Sequence, residues 1–237
     1  MFELAVLLLI AIWVAGIVLG LFVVVIGIGV SNLAGVAEMG LYSLEDKLNH
    51  LVIRLSREEK ILEALNYQKS KIEEAFVMGR MMKAILDRNP RLHTVEILDI
   101  AKSVHYWADR YAFDPLLILA VIVQESDCRP RAIGGSGEVG LMQVRPMTHE
   151  FIDPDKKGSL FEPDKNIEIG VRYLDYCREV TKKYAGGDKK KNLKLALAAY
   201  NLGHNGAVSR LESENRYLPM FYAVEVLMEY FAMRKGG

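Results

Sequence analysis

The chain has 237 residues with 30 basic and 30 acidic side chains, so it presents no net field of the kind that draws a protein to nucleic acid. Mean hydropathy is slightly positive, at +0.12, although a quarter of the residues are charged, which means that the apolar residues are gathered in one place. Two cysteines, Cys128 and Cys177, are too few for a disulfide framework and leave open one bridge or two free thiols. No Cys/His spacing resembles a zinc site, and no metal is expected.

The apolar residues are gathered at the N-terminus, where no charged residue occurs from Leu4 to Val30. A run of this length exceeds the ~20 residues of a membrane-spanning helix, and residues 1–30 are read as a transmembrane anchor. A cleaved signal peptide is the competing reading, with small residues at Gly35 and Ala37. It is less favoured because the apolar run outlasts a signal core of ~7–15 residues and no basic residue precedes it. Lys47, Arg54 and Arg57 lean weakly toward a cytoplasmic C-terminus, and charge leaves the topology open.

Residues 31–90 follow as a small-residue linker, Ser31 to Gly40, and then a helix with a seam. Leu41, Leu44, Leu48, Leu51, Leu55, Leu62, Leu65, Ile72 and Phe76 recur in steps of three and four, with Glu58 and Lys69 as polar interruptions. Either a coiled coil, giving a homodimer through residues 41–76, or an amphipathic helix packed on a domain or a membrane surface accounts for the pattern. It decays at Gly79, and Asn89-Pro90 predicts a helix stop.

Residues 91–237 read as helices joined by polar loops. Ile97, Ile100, Ala101, Val104 and Ala108 have helical spacing, and Asp114-Pro115 supplies a cap followed by proline at the first helical position. Further helix starts are predicted at Asn166 and Asn192, and alternation of the strand type is nearly absent. The fold class is mainly α.

Ile118, Val121 and Ile122 share a helix face with Glu125, which places a carboxyl at the end of an apolar stripe. Desolvation there raises a carboxyl pKa toward neutrality, as a general acid requires. On its own such a residue reads as an ordinary surface glutamate. The ordered set Glu125-Ser126, Gly140-Leu141-Met142-Gln143 and Ala199-Tyr200-Asn201 changes that reading. With Asp114-Pro115, Pro146, Thr148, Asn166-Ile167, Gly170 and Tyr173-Leu174, it resembles the soluble lytic transglycosylase family, whose domain has a lysozyme-like fold related to goose-type lysozyme. The resemblance covers roughly residues 94 to 235.

The resemblance implies cleavage of the β-1,4 bond between N-acetylmuramic acid and N-acetylglucosamine without any metal or organic cofactor. Glu125 would donate a proton to the leaving oxygen and then deprotonate the C6 hydroxyl of the same muramoyl ring, so that one carboxylate suffices and a 1,6-anhydro end forms. Gln143 and Met142 are expected to form one side of the glycan groove, and Gly140 to let the backbone approach the sugar. Tyr200 is expected near Glu125; Asn201 either caps a turn or touches substrate, and Ser126, counted with the substrate-binding residues, either holds the glutamate or caps the helix end. Arg216-Tyr217 resembles a late motif of the family only in part, with Tyr217 as its candidate. Two positions depart from the pattern: Gly134, where serine is usual, and Glu138, where alanine is usual. Glu138 could be a second carboxylate, which keeps a hydrolytic muramidase open beside a non-catalytic, wall-binding scaffold. The expected setting is the inner membrane of a bacterium, with a single span and the domain periplasmic or extracellular, acting on peptidoglycan strands.

Overall fold

Apolar sequence without a break gives a first helix, α1 (Phe2–Ile26), and a second, α2 (Ser31–Arg88), follows it. The computed structural model describes residues 2–26, 31–155, 157–213 and 217–235, with side chains described at 6–18 and from 41 on. The chain divides into two compact units, Met1–Ser70 and Lys71–Gly237. Among the described residues no helix is long and apolar enough to cross a membrane. In α1 the described side chains are those of residues 6–18, fewer than the ~20 that a span needs. The remainder of the expected anchor, residues 1–5 and 19–30, lies outside them, so the transmembrane segment stands as a reading of the sequence.

The expected linker at Ser31 to Gly40 is instead part of α2. A glycine inside a helix costs about 1 kcal/mol relative to alanine, too little to break a helix of 58 residues at Gly35, Gly40 or Gly79. The seam stays open to solvent: Leu44, Leu48, Leu51, Leu62, Leu65, Ile72 and Phe76 are all exposed. The helix ends at Arg88, ahead of Asn89-Pro90 as predicted.

The compact units divide the chain at a different place from the sequence segments 31–90 and 91–237. The second unit begins at Lys71, inside α2, because the last turns of that helix carry core residues of this unit, Met81 and Ile85, both fully buried. Arg88 is paired with Glu229 at 2.6 Å, and Asn89 Nδ2 donates to the Cys128 carbonyl at 3.0 Å.

The remainder of the second unit is built from α3 (Thr94–Arg110), α4 (Pro115–Ser126), α5 (Pro146–Ile152), α6 (Pro163–Ala185), α7 (Lys189–Leu202), α8 (His204–Glu212) and α9 (Phe221–Lys235). Among the described residues the β content is two isolated bridges, Ile133 to Val139 and Val139 to Val144. The centre is α4, buried without a break from Leu116 to Val123 and packed against α3 and α9. It is apolar all round, as a helix enclosed by other helices must be. Asp114 caps it as expected, its Oδ1 accepting from Leu116 N at 2.9 Å.

Two predicted helix starts move. Helix α6 begins at Pro163, so Asn166 lies inside its first turn, and α7 begins at Lys189 because Asp188 accepts from Lys190 N and Lys191 N. Asn192 instead accepts from the Thr181 hydroxyl at 3.0 Å. Cys128 and Cys177 are free and buried, which resolves the choice left open by the sequence. Burial pushes both thiols up to about 12, so they are unreactive at neutral pH.

Candidate active site

Glu125 sits one residue from the C-terminal end of α4, where the buried helix emerges at the wall of a groove of about 630 Å³. The helix ends there because Asp127 and Cys128 adopt left-handed conformations, at φ 49° and 57°. Gln143, Tyr173, Tyr200 and Asn201 line the groove together with Glu125. Its far end is aromatic, with Phe151 stacked on His204 at 5.2 Å between ring centroids.

Desolvation dominates the electrostatics of Glu125 and raises its pKa to about 7, with a smaller contribution from the negative charge of Glu138. Tyr222 opposes the shift. Its hydroxyl donates to Glu125 Oε1 at 2.5 Å, a bond that favours the ionised form. A carboxyl balanced near neutrality and held in one orientation can give a proton in one step and take one in the next.

Tyr222 was not among the residues expected from the sequence. It lies 97 residues from Glu125, on the apolar helix α9, where Tyr222, Ala223 and Val226 are buried. The late-motif candidate five residues earlier, Tyr217, is exposed and does not line the groove. Glu214 to Arg216, the rest of that partial match, lie outside the described residues. Removing the Tyr222 hydroxyl has a predictable sign. Tyr222→Phe is expected to move the alkaline limb of the kcat profile to higher pH, since the ionised form loses its donor, and to lower kcat by about tenfold. An unshifted limb, read by pH-resolved turnover on glycan strands, would argue against this contact.

The remaining expected residues hold the site more than they line it. Ser126 is buried, its hydroxyl within 2.8 Å of the Leu141 carbonyl and 3.1 Å of that of Ile122, which ties the glutamate helix to the loop that follows. Met142 is fully buried and packs on Gly170, where a Cβ would collide with its sulfur, so it is a core side chain and not a sugar wall. Gly140 has φ 79°, and a Cβ there would run into the Asn166 side chain and the Leu160 carbonyl. Glycine is required at 140 for packing against α6, not for approach to a sugar. Tyr200 donates to the Met142 carbonyl at 2.8 Å rather than to Glu125, and Asn201 is exposed at the groove. Gln143, left-handed at φ 47°, donates to the Gly140 carbonyl at 2.8 Å and presents its side chain to the groove.

Glu138 lies in the same groove, with both oxygens engaged. Oε1 accepts from Arg145 Nε at 2.9 Å and Nη2 at 2.8 Å, and Oε2 from Ser136 N at 3.0 Å. Backbone N–H donors and Arg145 hold its carboxyl below the usual range, so it is ionised while Glu125 is balanced. A wider depression of about 1010 Å³ adjoins α8, but both acids that line it are exposed, Glu212 bound to Lys183 and Tyr184 and Glu179 to Lys182. Tyr184 and Lys183 hold the Glu212 carboxyl below the usual range, the opposite of what a general acid needs.

Residues 102–218 match the family described as the transglycosylase SLT domain. The chain is 34% identical over 119 residues to the membrane-bound lytic murein transglycosylase C of Edwardsiella ictaluri, covering 46% of this chain and 32% of that protein. Its likeness to the protein of the same name in Histophilus somni is 38% over 120 residues, with the same coverage. To the membrane-bound lytic murein transglycosylase F of Desulfosudis oleivorans it is 38% identical over 97 residues, covering 41% of this chain and 20% of that one. The chain thus spans about a third or less of the length of these relatives. A solved structure of the lytic transglycosylase Slt of Pseudomonas aeruginosa is 26% identical, covers 56% of this chain and 21% of its own, and superposes with a TM-score of 0.40.

Proposed function

The chain belongs to the lytic transglycosylase family through residues 102–218, and from that premise we propose that it cleaves peptidoglycan strands between N-acetylmuramic acid and N-acetylglucosamine, leaving a 1,6-anhydromuramoyl end. The observation that carries the reading is Glu125: an acid at the end of a buried helix, balanced near pH 7 and oriented by Tyr222 at the wall of a groove. In the first step its proton passes to the glycosidic oxygen as the C1–O4 bond breaks and positive charge develops at C1. In the second, the Glu125 carboxylate takes the proton of the C6 hydroxyl while O6 bonds to C1. Proton and charge balance with no second acid and no water.

The hydrolytic alternative uses Glu138 or another acid as nucleophile or base, and Glu138 is the acid that shares the groove with Glu125. Both of its oxygens are already bound, by Arg145 and by the Ser136 amide, which disfavours either role. A scaffold that only binds glycan has no use for a carboxyl desolvated to a pKa of about 7. Mass spectrometry of digested strands distinguishes the reactions, since the anhydro product is lighter than the hydrolytic one by one water. Products carrying only reducing ends would refute the transglycosylase reading. The uncharged run from Leu4 to Val30, and relatives named membrane-bound, support an anchor in the bacterial inner membrane with this domain outside it. Release of the chain from membranes by an alkaline wash would contradict the anchor.

A further inference from the structure

We infer that Arg145, clamped by Glu138, is a carboxylate-recognition residue of the groove that selects muramoyl units bearing an acidic substituent. The inference rests on the function proposed above and names the substrate feature that this chain reads.

The ion pair is asymmetric. The Glu138 side chain is 17% exposed and that of Arg145 is 58% exposed, so the carboxylate is the enclosed half and the guanidinium the presented half. Nε and Nη2 of Arg145 bind Glu138 Oε1, and no other protein acceptor is bound to this guanidinium among the described residues. That leaves Nη1, and the second N–H of Nη2, on the guanidinium edge away from Glu138. An arginine whose planar fork is already fixed gives up little further side-chain freedom when an anion binds, and its geometry matches a carboxylate.

The clamp has its own space cleared for it. A Cβ on Gly134 would lie 2.6 Å from Glu138 Oε2 and 2.7 Å from Gln143 Oε1. Any side chain at 134 would displace the carboxylate that orients Arg145. The two departures noted in the sequence, Gly134 for serine and Glu138 for alanine, are therefore one structural feature. With its guanidinium more than half exposed, the pair adds little to fold stability. Arg145 and Glu138 line the same groove as Glu125.

Such a substituent offers a carboxylate from two sources: the lactyl group itself in peptide-free strands, or the stem peptide where one is attached. The test measures binding by titration calorimetry with the full chain carrying Glu125→Gln, so that no cleavage intervenes. Four ligands are compared: peptide-free and peptide-bearing strands, each native and with its carboxylates converted to methylamides. With Arg145 present, one native strand is expected to bind about tenfold more tightly than its methylamide, and which strand does so identifies the source. Adding Arg145→Gln should bring native and methylamide strands to within about twofold, whereas Arg145→Lys should keep part of the preference. The inference is overturned if both strand types bind equally well as methylamides, or if Arg145→Gln keeps the full preference. Cleavage by the chain with Glu125 intact is scored separately. Anhydro products without a carboxylate preference would sink this inference alone; a preference without anhydro products would sink the proposed reaction alone.

Discussion

The Glu125→Gln variant is expected to lose about three orders of magnitude in kcat on glycan strands, and to be more stable than the native chain above pH 7. Glutamine fills the same volume and can still meet the Tyr222 hydroxyl, but it has no proton to give and cannot become a base. The stability effect has a definite sign. The folded-state pKa of Glu125 is raised from 4.5 to about 7, so the neutral carboxyl is the form that the fold tolerates. Its contribution is fully present below the ordinary carboxylate range and is lost as pH rises through about 7, where ionisation places a charge in desolvated surroundings. Above pH 8 the native chain should trail the variant by on the order of 3 kcal/mol, the free-energy equivalent of that shift. Near pH 4 the two should agree. Urea unfolding at both pH values checks this, and a gap that does not change with pH would show that Glu125 is not desolvated. Activity of the native chain should fall on the alkaline side of about pH 7 for the same reason, because the first step needs the protonated acid.

The second large effect lies away from the groove, at Asn166. Its side chain is almost fully buried, and it serves three backbone groups at once: Oδ1 accepts from Met142 N, and Nδ2 donates to the carbonyls of Val139 and Leu160, each at 2.8 Å. Asn166→Ala leaves the Met142 N–H and the Leu160 carbonyl without their partner, while the Val139 carbonyl keeps its bond from Val144 N, which should cost about 3 kcal/mol in folding stability. For a unit of this size that lowers Tm by roughly 10 °C. The loop it holds carries Gly140 and Gln143, so KM for glycan should rise in the fraction that remains folded. A loss below about 1 kcal/mol, measured by thermal unfolding, would mean that water replaces the amide. The contrast with Glu125 is instructive: one substitution removes chemistry and adds stability, the other removes stability first.

What was legible in the sequence is what local chemistry dictates. Asp114-Pro115 marks the start of α4 because cap and proline act within one turn. Asn89-Pro90 stops α2 for the same kind of reason. Glu125 and Gln143 stand out as candidates because they belong to an ordered motif set, and both line one groove with Tyr200 and Asn201. What was missed depends on distant partners. Tyr222 looks like one more apolar position of α9 until the fold sets its hydroxyl against Glu125. Met142 sits beside Gln143 in the same motif, yet one is buried and the other faces the groove, because Gly170 on α6 leaves room for the methionine. The start of α7 was misplaced because the lysine run after Asp188 resembles a loop by composition, while the first-turn N–H groups needed a carboxylate that Asp188 supplies.

The ending of α2 bears on how this chain can be taken apart. Met81 and Ile85 fill the core of the second unit although they belong to the long helix that begins at Ser31. A cut at Pro90, where the helix visibly stops, would open two apolar voids and remove the Arg88 to Glu229 pair. The second unit and the segment ahead of it are therefore not interchangeable modules joined at a proline. Any recombination, protease or engineer that separates them cleanly has to do so upstream of Lys71, because the second unit keeps the last turns of α2 as an indispensable plug of its own core.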